Sequence, residues 1–168
     1  HQRAYYVSIL VRYMYSIIQD RYLIIDCPTE ATLPKYLDIF KQQNVTHVVR
    51  ICDAANTYDA QKLESEGITV HDEIKFQDGG VPDQPAVDKW LQLTNESRDV
   101  IGVHCVSGIG RAPVLVTISL IENGMDPLDA IAHVRKYRRG ALNKRQIHYI
   151  DHYKRRSKRS GFLRSLFR

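Results

Sequence analysis

The stretch Val103–Arg111 reads VHCVSGIGR and decides the fold of the region around it. Residues 100–103 are an apolar run typical of a short buried strand, and residues 111–123 form an apolar helical pattern with a proline in its first turn. The stretch therefore predicts a loop between a strand end and a helix start. The first amides of such a helix lack intrahelical partners, and Gly108 and Gly110 let successive N–H groups converge on one anion. We expect the loop to cradle a phosphoryl dianion.

Cys105 and Arg111 stand at the two ends of this loop. A cysteine at a helix N-terminus beside an arginine typically has a pKa lowered from about 8.5 to roughly 3.5 to 7.5. We therefore expect the sulfur to be a nucleophile at neutral pH. The planar guanidinium of Arg111 can bind two phosphate oxygens at once and follow them as the geometry becomes trigonal bipyramidal. An ordinary buried thiol would require neither this arginine nor the two glycines.

The loop also supplies the expected substrate-binding residues, which are Val106, Ser107, Gly108, Ile109, Gly110 and Arg111. Val106, Ser107 and Ile109 are uncharged, which makes a multiply charged inositol headgroup a weaker substrate candidate than a single phosphate monoester. His104, directly before the nucleophile, is expected to orient the loop by hydrogen bonding rather than to act as a base.

A cysteine nucleophile of this kind needs a proton donor for the leaving oxygen, held on a mobile loop over the substrate. The candidates are Asp72, Glu73, Asp78 and Asp83. Asp78 is favoured because two glycines follow it and give hinge freedom, while Pro82 and Pro85 stiffen the far side. The alternative for any single aspartate is a solvated loop carboxylate.

Strand-like and helix-like segments alternate along the chain, and 168 residues with 43% hydrophobic content suffice for one core. A hairpin is predicted from strands at 13–18 and 21–25, joined at Gln19-Asp20. Further strands are predicted at 45–51, 68–73 and 100–103, and helices at 32–43, 58–66, 84–96, 111–123, 127–137 and after a capping box formed by Asn143 and Gln146. This alternation predicts an α/β domain over residues 13–153, with a central mostly parallel sheet flanked by helices. Its binding loops should gather at the carboxyl ends of the strands.

The loop resembles the signature of cysteine-dependent protein tyrosine phosphatases, and further segments are similar to the phosphatase of regenerating liver (PRL, protein tyrosine phosphatase type IVA) family. These segments are RYLIIDCPTEATL at 21–33, VTHVVRIC at 45–52, FQDG at 76–79, RAPVL at 111–115 and RRGALN at 138–143. The resemblance extends over residues 13–153. It implies the dual-specificity-type protein tyrosine phosphatase fold and hydrolysis of phosphotyrosine through a cysteinyl-phosphate intermediate. We expect neither a cofactor nor a metal.

The resemblance also implies roles for individual residues. It points to Asp78 as the acid, and Gln77 stands where PRL enzymes usually carry a second aspartate. Ala112 stands where most tyrosine phosphatases have a hydroxyl that helps the cysteine leave, as it does in PRL enzymes. Turnover is therefore expected to be slow, with the phosphocysteine accumulating. Tyrosine-only and dual specificity both stay open.

Cysteines other than the nucleophile carry a redox prediction. The resemblance implies that Cys52 forms a reversible disulfide with Cys105, whereas the residues alone favour a buried structural thiol. Cys27 is predicted to be structural. Arg139 and Gln146 lie near the pocket by resemblance, and a solvated or capping role for them is equally open. Three cysteines do not make a disulfide framework, so a reducing cytoplasmic compartment is expected.

Charge is distributed unevenly: residues 135–168 carry 13 basic and one acidic side chain, within a net charge of +5 for the chain. Residues 154–168 form a predicted tail in which a basic run precedes Phe162, Leu163, Leu166 and Phe167. This pattern favours peripheral binding to the anionic inner face of a membrane. A disordered solvated tail or a patch for another polyanion is the alternative.

Two function classes follow from these observations. The first is an enzyme that removes phosphate from phosphoprotein substrates, with Cys105 as nucleophile, Arg111 as phosphate clamp and Asp78 as acid. The second is a binding module that uses the same pocket to hold a partner, such as the regulatory domain of a magnesium transporter, as the PRL resemblance implies. No nucleic-acid partner is expected, and formation of a homo-oligomer is left open.

Overall fold

The computed structural model describes residues 15–53 and 57–156. Five strands form one mixed sheet, and six helices surround it in this part of the chain. The strands are β1 (Tyr15–Ile18), β2 (Tyr22–Ile25), β3 (Val45–Arg50), β4 (Thr69–His71) and β5 (Val100–His104). The helices are α1 (Leu33–Gln42), α2 (Gln61–Glu64), α3 (Gln84–Glu96), α4 (Arg111–Glu122), α5 (Pro127–Tyr137) and α6 (Lys144–Asp151). The predicted α/β class is confirmed.

The strand order in the sheet is β1-β2-β5-β3-β4, so β5 is the central strand. β1 pairs antiparallel with β2, and the other three pairings are parallel. Parallel strands end at the same edge of a sheet, and ligand sites in open α/β sheets form outside that edge. Cys105 directly follows β5, so the loop that begins there lies at the middle of this edge.

Two apolar layers cover the sheet, because successive side chains of each strand point to opposite faces. Tyr22 and Ile24 of β2 pack with the apolar side chains of α3, α4, α5 and α6. Leu23 and Ile25 pack with α1 and with Leu63 of α2. Residues 111–121 of α4 are all buried, which is the pattern of a helix enclosed by neighbours. The start of α4, where the loop ends, is therefore fixed on several sides.

The predicted hairpin forms, and its turn explains the register. Gln19 and Asp20 have φ angles of 54° and 50°, which fits the tight turn that matches the twist of two antiparallel strands. Residues 13 and 14 of the predicted first strand lie outside the described residues. Tyr15 pairs with Ile25, and Ile18 pairs with Tyr22.

Two predicted elements are shorter than expected. The helix predicted at 58–66 is reduced to α2, because the Asp59 carboxylate accepts from Gln61 N at 3.0 Å and the helix begins only there. The strand predicted at 68–73 is reduced to β4. Asp72 leaves the ladder and accepts two hydrogen bonds from the Arg50 guanidinium, at 2.7 and 2.8 Å. Side-chain contacts therefore delay the start of α2 and end β4 earlier than the hydrophobic pattern predicts.

Candidate active site

The loop of residues 105–110 is fastened to the body of the protein on both sides. Cys27 N donates to Val106 O at 3.1 Å, and Leu142 N donates to Ile109 O at 2.9 Å. The loop is therefore held by main-chain contacts that do not depend on its own side chains.

The side chains of this loop divide between a floor and a rim. Cys105 is only 2% exposed and lies at the floor, whereas Val106 and Ile109 are 61% and 45% exposed at the rim. Ser107 is also exposed, and Gly108 is buried. The rim offers apolar and hydroxyl groups, so main-chain amides and Arg111 are the groups suited to an anion.

Arg111 is buried at the start of α4, and its guanidinium is only partly used by the protein. Nη1 donates to Phe76 O at 3.4 Å, while Nε is buried and has no hydrogen-bond partner in the described part of the chain. A buried donor without a partner is costly, roughly 1–3 kcal/mol and more for a charged group. An oxyanion in the loop would satisfy it.

The four carboxylates proposed as proton donors occupy different surroundings. Asp83 accepts from Ala86 N at 2.9 Å and caps α3, and Glu73 lies 3.3 Å from the ring of His71. The hydrogen bonds from Arg50 hold the pKa of Asp72 below its ordinary value, so this carboxylate is poorly suited to donate a proton. Asp78 lies beside the loop instead.

Asp78 lies next to Arg111 and is largely exposed to solvent. Its Oδ1 lies 3.9 Å from Arg111 Nε, and its side chain is 85% exposed. A Cβ atom added at Gly110 would lie 3.9 Å from the same oxygen. The structure thus brings Asp78, Arg111 and the loop together, while Asp72, Glu73 and Asp83 take other partners.

The capping box at the start of α6 holds the segment that carries Asp78. The carbonyl oxygens of the Asn143 and Gln146 side chains cap the helix by accepting from Gln146 N at 2.8 Å and Asn143 N at 3.0 Å. Their amide nitrogens donate to Gly79 O at 2.9 Å and Gly80 O at 3.0 Å. The sequence indicated the capping box but not this second set of contacts, because the spacing in sequence does not show which loop lies alongside.

His104 directly precedes Cys105 and is fully buried. Its Nε2 is 2.7 Å from the Tyr58 hydroxyl, and its Nδ1 is 3.3 Å from Cys105 O. Burial raises the pKa of Tyr58, so the hydroxyl keeps its proton and can donate to Nε2. Nδ1–H then points at the carbonyl of Cys105. His104 therefore contacts both Tyr58 and the main chain of Cys105, and its role in orienting the loop stays a prediction.

Cys27, predicted to be a structural thiol, lies close to two other side chains that can take part in redox or metal chemistry. Its Sγ lies 3.5 Å from Cys52 Sγ, and Cys52 Sγ lies 3.8 Å from His104 Nδ1. These three ligand-type atoms all lie within 4.8 Å of one another. Lys75 Nζ donates to Cys52 O at 2.5 Å, and this cation disfavours a metal ion at the cluster.

Arg138 supports the underside of the loop, and the sequence did not single it out. Its Nη2 donates to Asp26 Oδ1 at 3.3 Å. A Cβ atom at Gly108 would collide with the same nitrogen and would lie 3.1 Å from Ile25 O. Gly108 also has a φ of 69°, so both its conformation and its surroundings require glycine. Arg139, predicted near the pocket by resemblance, is exposed.

The chain is similar to several known phosphatases. It is 46% identical over 145 residues to the probable protein tyrosine phosphatase type IVA A of Dictyostelium discoideum, covering 83% of this chain and 86% of that protein. It is 42% identical over 152 residues to protein tyrosine phosphatase PRL-1 of Leishmania major, covering 83% and 85%. No protein-family model matches the chain.

A solved structure supports the same assignment. A protein tyrosine phosphatase from Leishmania major superposes with a TM-score of 0.69 and 41% identity, covering 80% of this chain and 88% of that one. The fold and the loop from Cys105 to Arg111 define the dual-specificity type of cysteine-dependent phosphatase. The chain belongs to the protein tyrosine phosphatase type IVA (PRL) family. It is a phosphoric monoester hydrolase.

Gly108→Ala is expected to disrupt the loop, because the new methyl group would displace Arg138 and force an alanine into a left-handed backbone conformation. We expect kcat/KM toward an aryl phosphate to fall by about tenfold or more, together with weaker inhibition by orthovanadate. Gly67→Ala is the matched control, since Gly67 has a φ of 81° but open space around it. Equal loss of activity in the two variants would contradict a steric role for Gly108.

Proposed function

We propose that the protein hydrolyses phosphotyrosine in phosphoprotein substrates through a phosphate bound covalently to Cys105. In the first step the thiolate attacks phosphorus, the bond to the tyrosyl oxygen breaks, and Asp78 gives its proton to that oxygen. In the second step water attacks the phosphocysteine, Asp78 takes a proton from the water, and inorganic phosphate leaves with the thiolate restored. Arg111 and the loop amides stabilise the charge on the phosphoryl oxygens in both steps.

The partly unused guanidinium of Arg111 is the observation that carries this proposal. Its Nε is buried without a hydrogen bond in the described part of the chain, at the end of the loop that starts at Cys105 and 3.9 Å from Asp78 Oδ1. A phosphoryl group in the loop would receive the fork of the guanidinium on one side and the amides of residues 106–110 around it. Val106, Ser107 and Ile109 add no charge, which suits a monoester dianion. Dual specificity is the broader form of the same proposal.

Intact-protein mass spectrometry after brief mixing with a phosphotyrosine peptide tests this mechanism. We expect a mass gain of one phosphate that maps to the tryptic peptide 99–111 and is absent in Cys105→Ser. Asp78→Asn should lower kcat/KM by about 10²–10⁴ for phenyl phosphate, and far less for an aryl phosphate with a weakly basic leaving group. A phosphate on another residue, or equal effects on both substrates, would refute the assigned roles.

Ala112 supports slow release of the phosphate. Its side chain is fully buried directly after Arg111 and offers no hydroxyl to the departing sulfur. Hydrolysis of the phosphocysteine is then slower than its formation, so the covalent state accumulates.

Ala112→Ser is expected to raise steady-state kcat several-fold and to reduce the burst of product seen in stopped-flow measurements with an aryl phosphate. The reason is that the added hydroxyl can hydrogen-bond to the leaving thiolate. Ala130→Ser is the control, because it places the same hydroxyl at a fully buried alanine of α5. Absence of a burst in the natural protein, or an unchanged second step in Ala112→Ser, would count against slow release.

The second candidate function is a binding module in which the phosphate pocket holds the regulatory domain of a magnesium transporter. Ala112 keeps this alternative open, because slow turnover makes catalysis the weaker of the two possible uses of the pocket. Cys105→Ser separates the two functions when turnover and capture of the transporter domain are measured together. Loss of turnover with retained capture of the transporter domain supports the binding function. Loss of both turnover and capture indicates that capture requires the phosphocysteine.

A reversible disulfide between Cys52 and Cys105 forms part of the proposal. Cys52 is buried two residues beyond the end of β3, and β3 lies next to the central strand that Cys105 follows. Such a bond would block the nucleophile during oxidation and restore it on reduction.

The basic tail is proposed to hold the enzyme at the cytoplasmic, anionic face of a membrane. Residues 157–168, including the apolar positions, lie outside the described residues. Arg155 and Arg156 are bound by the body of the protein, through Ile121 O at 2.7 Å and through Asp88. Lys154 is exposed. None of the helices in the described part of the chain has the length and apolar composition needed to cross a bilayer.

We expect the full chain to bind vesicles that contain phosphatidylserine and to dissociate as salt is added, because the attraction is electrostatic. Sedimentation with vesicles at increasing ionic strength measures this, and neutral phosphatidylcholine vesicles are the control. Equal binding to both kinds of vesicle would exclude an electrostatic anchor.

A further inference from the structure

Two thiols that the phosphatase reaction does not use face each other at the edge of the sheet that carries the active site. Cys27 follows β2, Cys52 follows β3, and both strands flank β5. The two Sγ atoms are 3.5 Å apart. A disulfide requires about 2.05 Å, so the two sulfurs would approach by about 1.5 Å to form the bond.

We propose that Cys27 is an oxidation site and the preferred disulfide partner of Cys52. The pairing would be intramolecular and reversible. This proposal rests on the redox part of the proposed function and extends it, since Cys27 and Cys105 would compete to form a disulfide with the same Cys52 sulfur.

The surroundings of Cys52 suit it to react first. Lys75 Nζ donates to Cys52 O at 2.5 Å, and His104 Nδ1 lies 3.8 Å from the sulfur. The hydrogen bond from Cys27 and these two neighbours lower the pKa of the Cys52 thiol. The same contact, together with burial, raises the pKa of Cys27. Of the two sulfurs, Cys52 is therefore the better suited to react as a thiolate.

The reaction needs a hydroperoxide as oxidant. The Cys52 thiolate attacks the terminal oxygen, the O–O bond breaks, and the departing oxygen takes a proton to leave as water or an alcohol. Cys52 is then a sulfenic acid, and the charge that kept Cys27 protonated has gone. The Cys27 sulfur loses its proton and attacks Cys52 Sγ, the S–O bond breaks, and hydroxide combines with that proton as water. Two thiols are oxidised to one disulfide, and one hydroperoxide is reduced.

Formation of this bond would leave Cys105 reduced. If Cys52 first pairs with Cys105, the Cys27 thiolate can attack Cys52 Sγ, and the Cys105 thiolate leaves with the electron pair of the broken S–S bond. Both routes end with a free nucleophile and an oxidised Cys27–Cys52 pair. Cys27 also fastens the active-site loop through its main-chain N–H to Val106 O, and this contact survives a change of its side chain.

Peptide mapping can test the pairing without a variant, because trypsin separates the three thiols. Cys27, Cys52 and Cys105 fall in peptides 22–35, 51–62 and 99–111. We expect the chain, treated with one equivalent of hydrogen peroxide and then alkylated with iodoacetamide, to contain peptide 22–35 linked to 51–62. This species should exceed 51–62 linked to 99–111 by about tenfold or more. Peptide 99–111 should carry the alkyl group, and dithiothreitol should reverse the link.

Cys27→Ser should move the link to peptides 51–62 and 99–111, and Cys52→Ser should abolish both intramolecular links. A dominant bond to Cys105 in the natural protein, sulfinic acid at Cys52, or only intermolecular disulfides would overturn the proposal. The proposal would also be overturned if a stoichiometric zinc ion protects the two thiols from oxidation and a chelator that removes the zinc makes them reactive. Phosphocysteine formation in the reduced protein tests Cys105 separately, so failure of one assignment is distinguishable from failure of the other.

Discussion

The fixed position of the active-site loop between two main-chain hydrogen bonds is the constraint on which the rest of the site depends. Cys27 N holds Val106 O from the side of β2, and Leu142 N holds Ile109 O from the side of α6. A free loop that contains two glycines would otherwise sample many conformations and lose conformational entropy each time it closed on an anion. Because the central strand and a fully enclosed helix anchor its two ends, the loop is already ordered for its ligand.

Two arginine side chains next to this loop determine its electrostatic properties. Arg111 and Arg138 are both largely buried, and each has an Nε without a hydrogen bond in the described part of the chain. A buried charge with incomplete pairing costs stability, and the cost decreases when an oxyanion arrives. The folded protein therefore keeps a buried guanidinium donor of Arg111 without a hydrogen bond, in the described part of the chain, at the end of the loop that is proposed to bind the phosphoryl group.

Much of this architecture follows from local sequence patterns. α3 has the predicted bounds, the hairpin turn lies at Gln19 and Asp20, and the capping box forms at Asn143 and Gln146. These features depend on neighbours in sequence, such as periodic apolar residues, turn residues and caps. The loop signature likewise predicted a strand end and a helix start on either side of residues 105–110, because its residues are contiguous.

Contacts between distant segments could not be predicted in the same way. The reduction of β4 results from the pair of Arg50 and Asp72, which are 22 residues apart. Cys27 and Cys52 meet because their strands flank β5, and no spacing in the sequence encodes that adjacency. The cysteine that looked least informative in the sequence lies beside the one with an implied redox role.

The double use of the two amide side chains at the start of α6 links helix stability to enzyme geometry. Each amide caps the helix with its oxygen and holds the segment after Asp78 with its nitrogen. Fraying of the first turn of α6 would release that segment at the same moment, so the start of the helix and the segment after Asp78 would open as one cooperative unit. A molecule that clamps α6 from outside could therefore tune catalysis without entering the pocket.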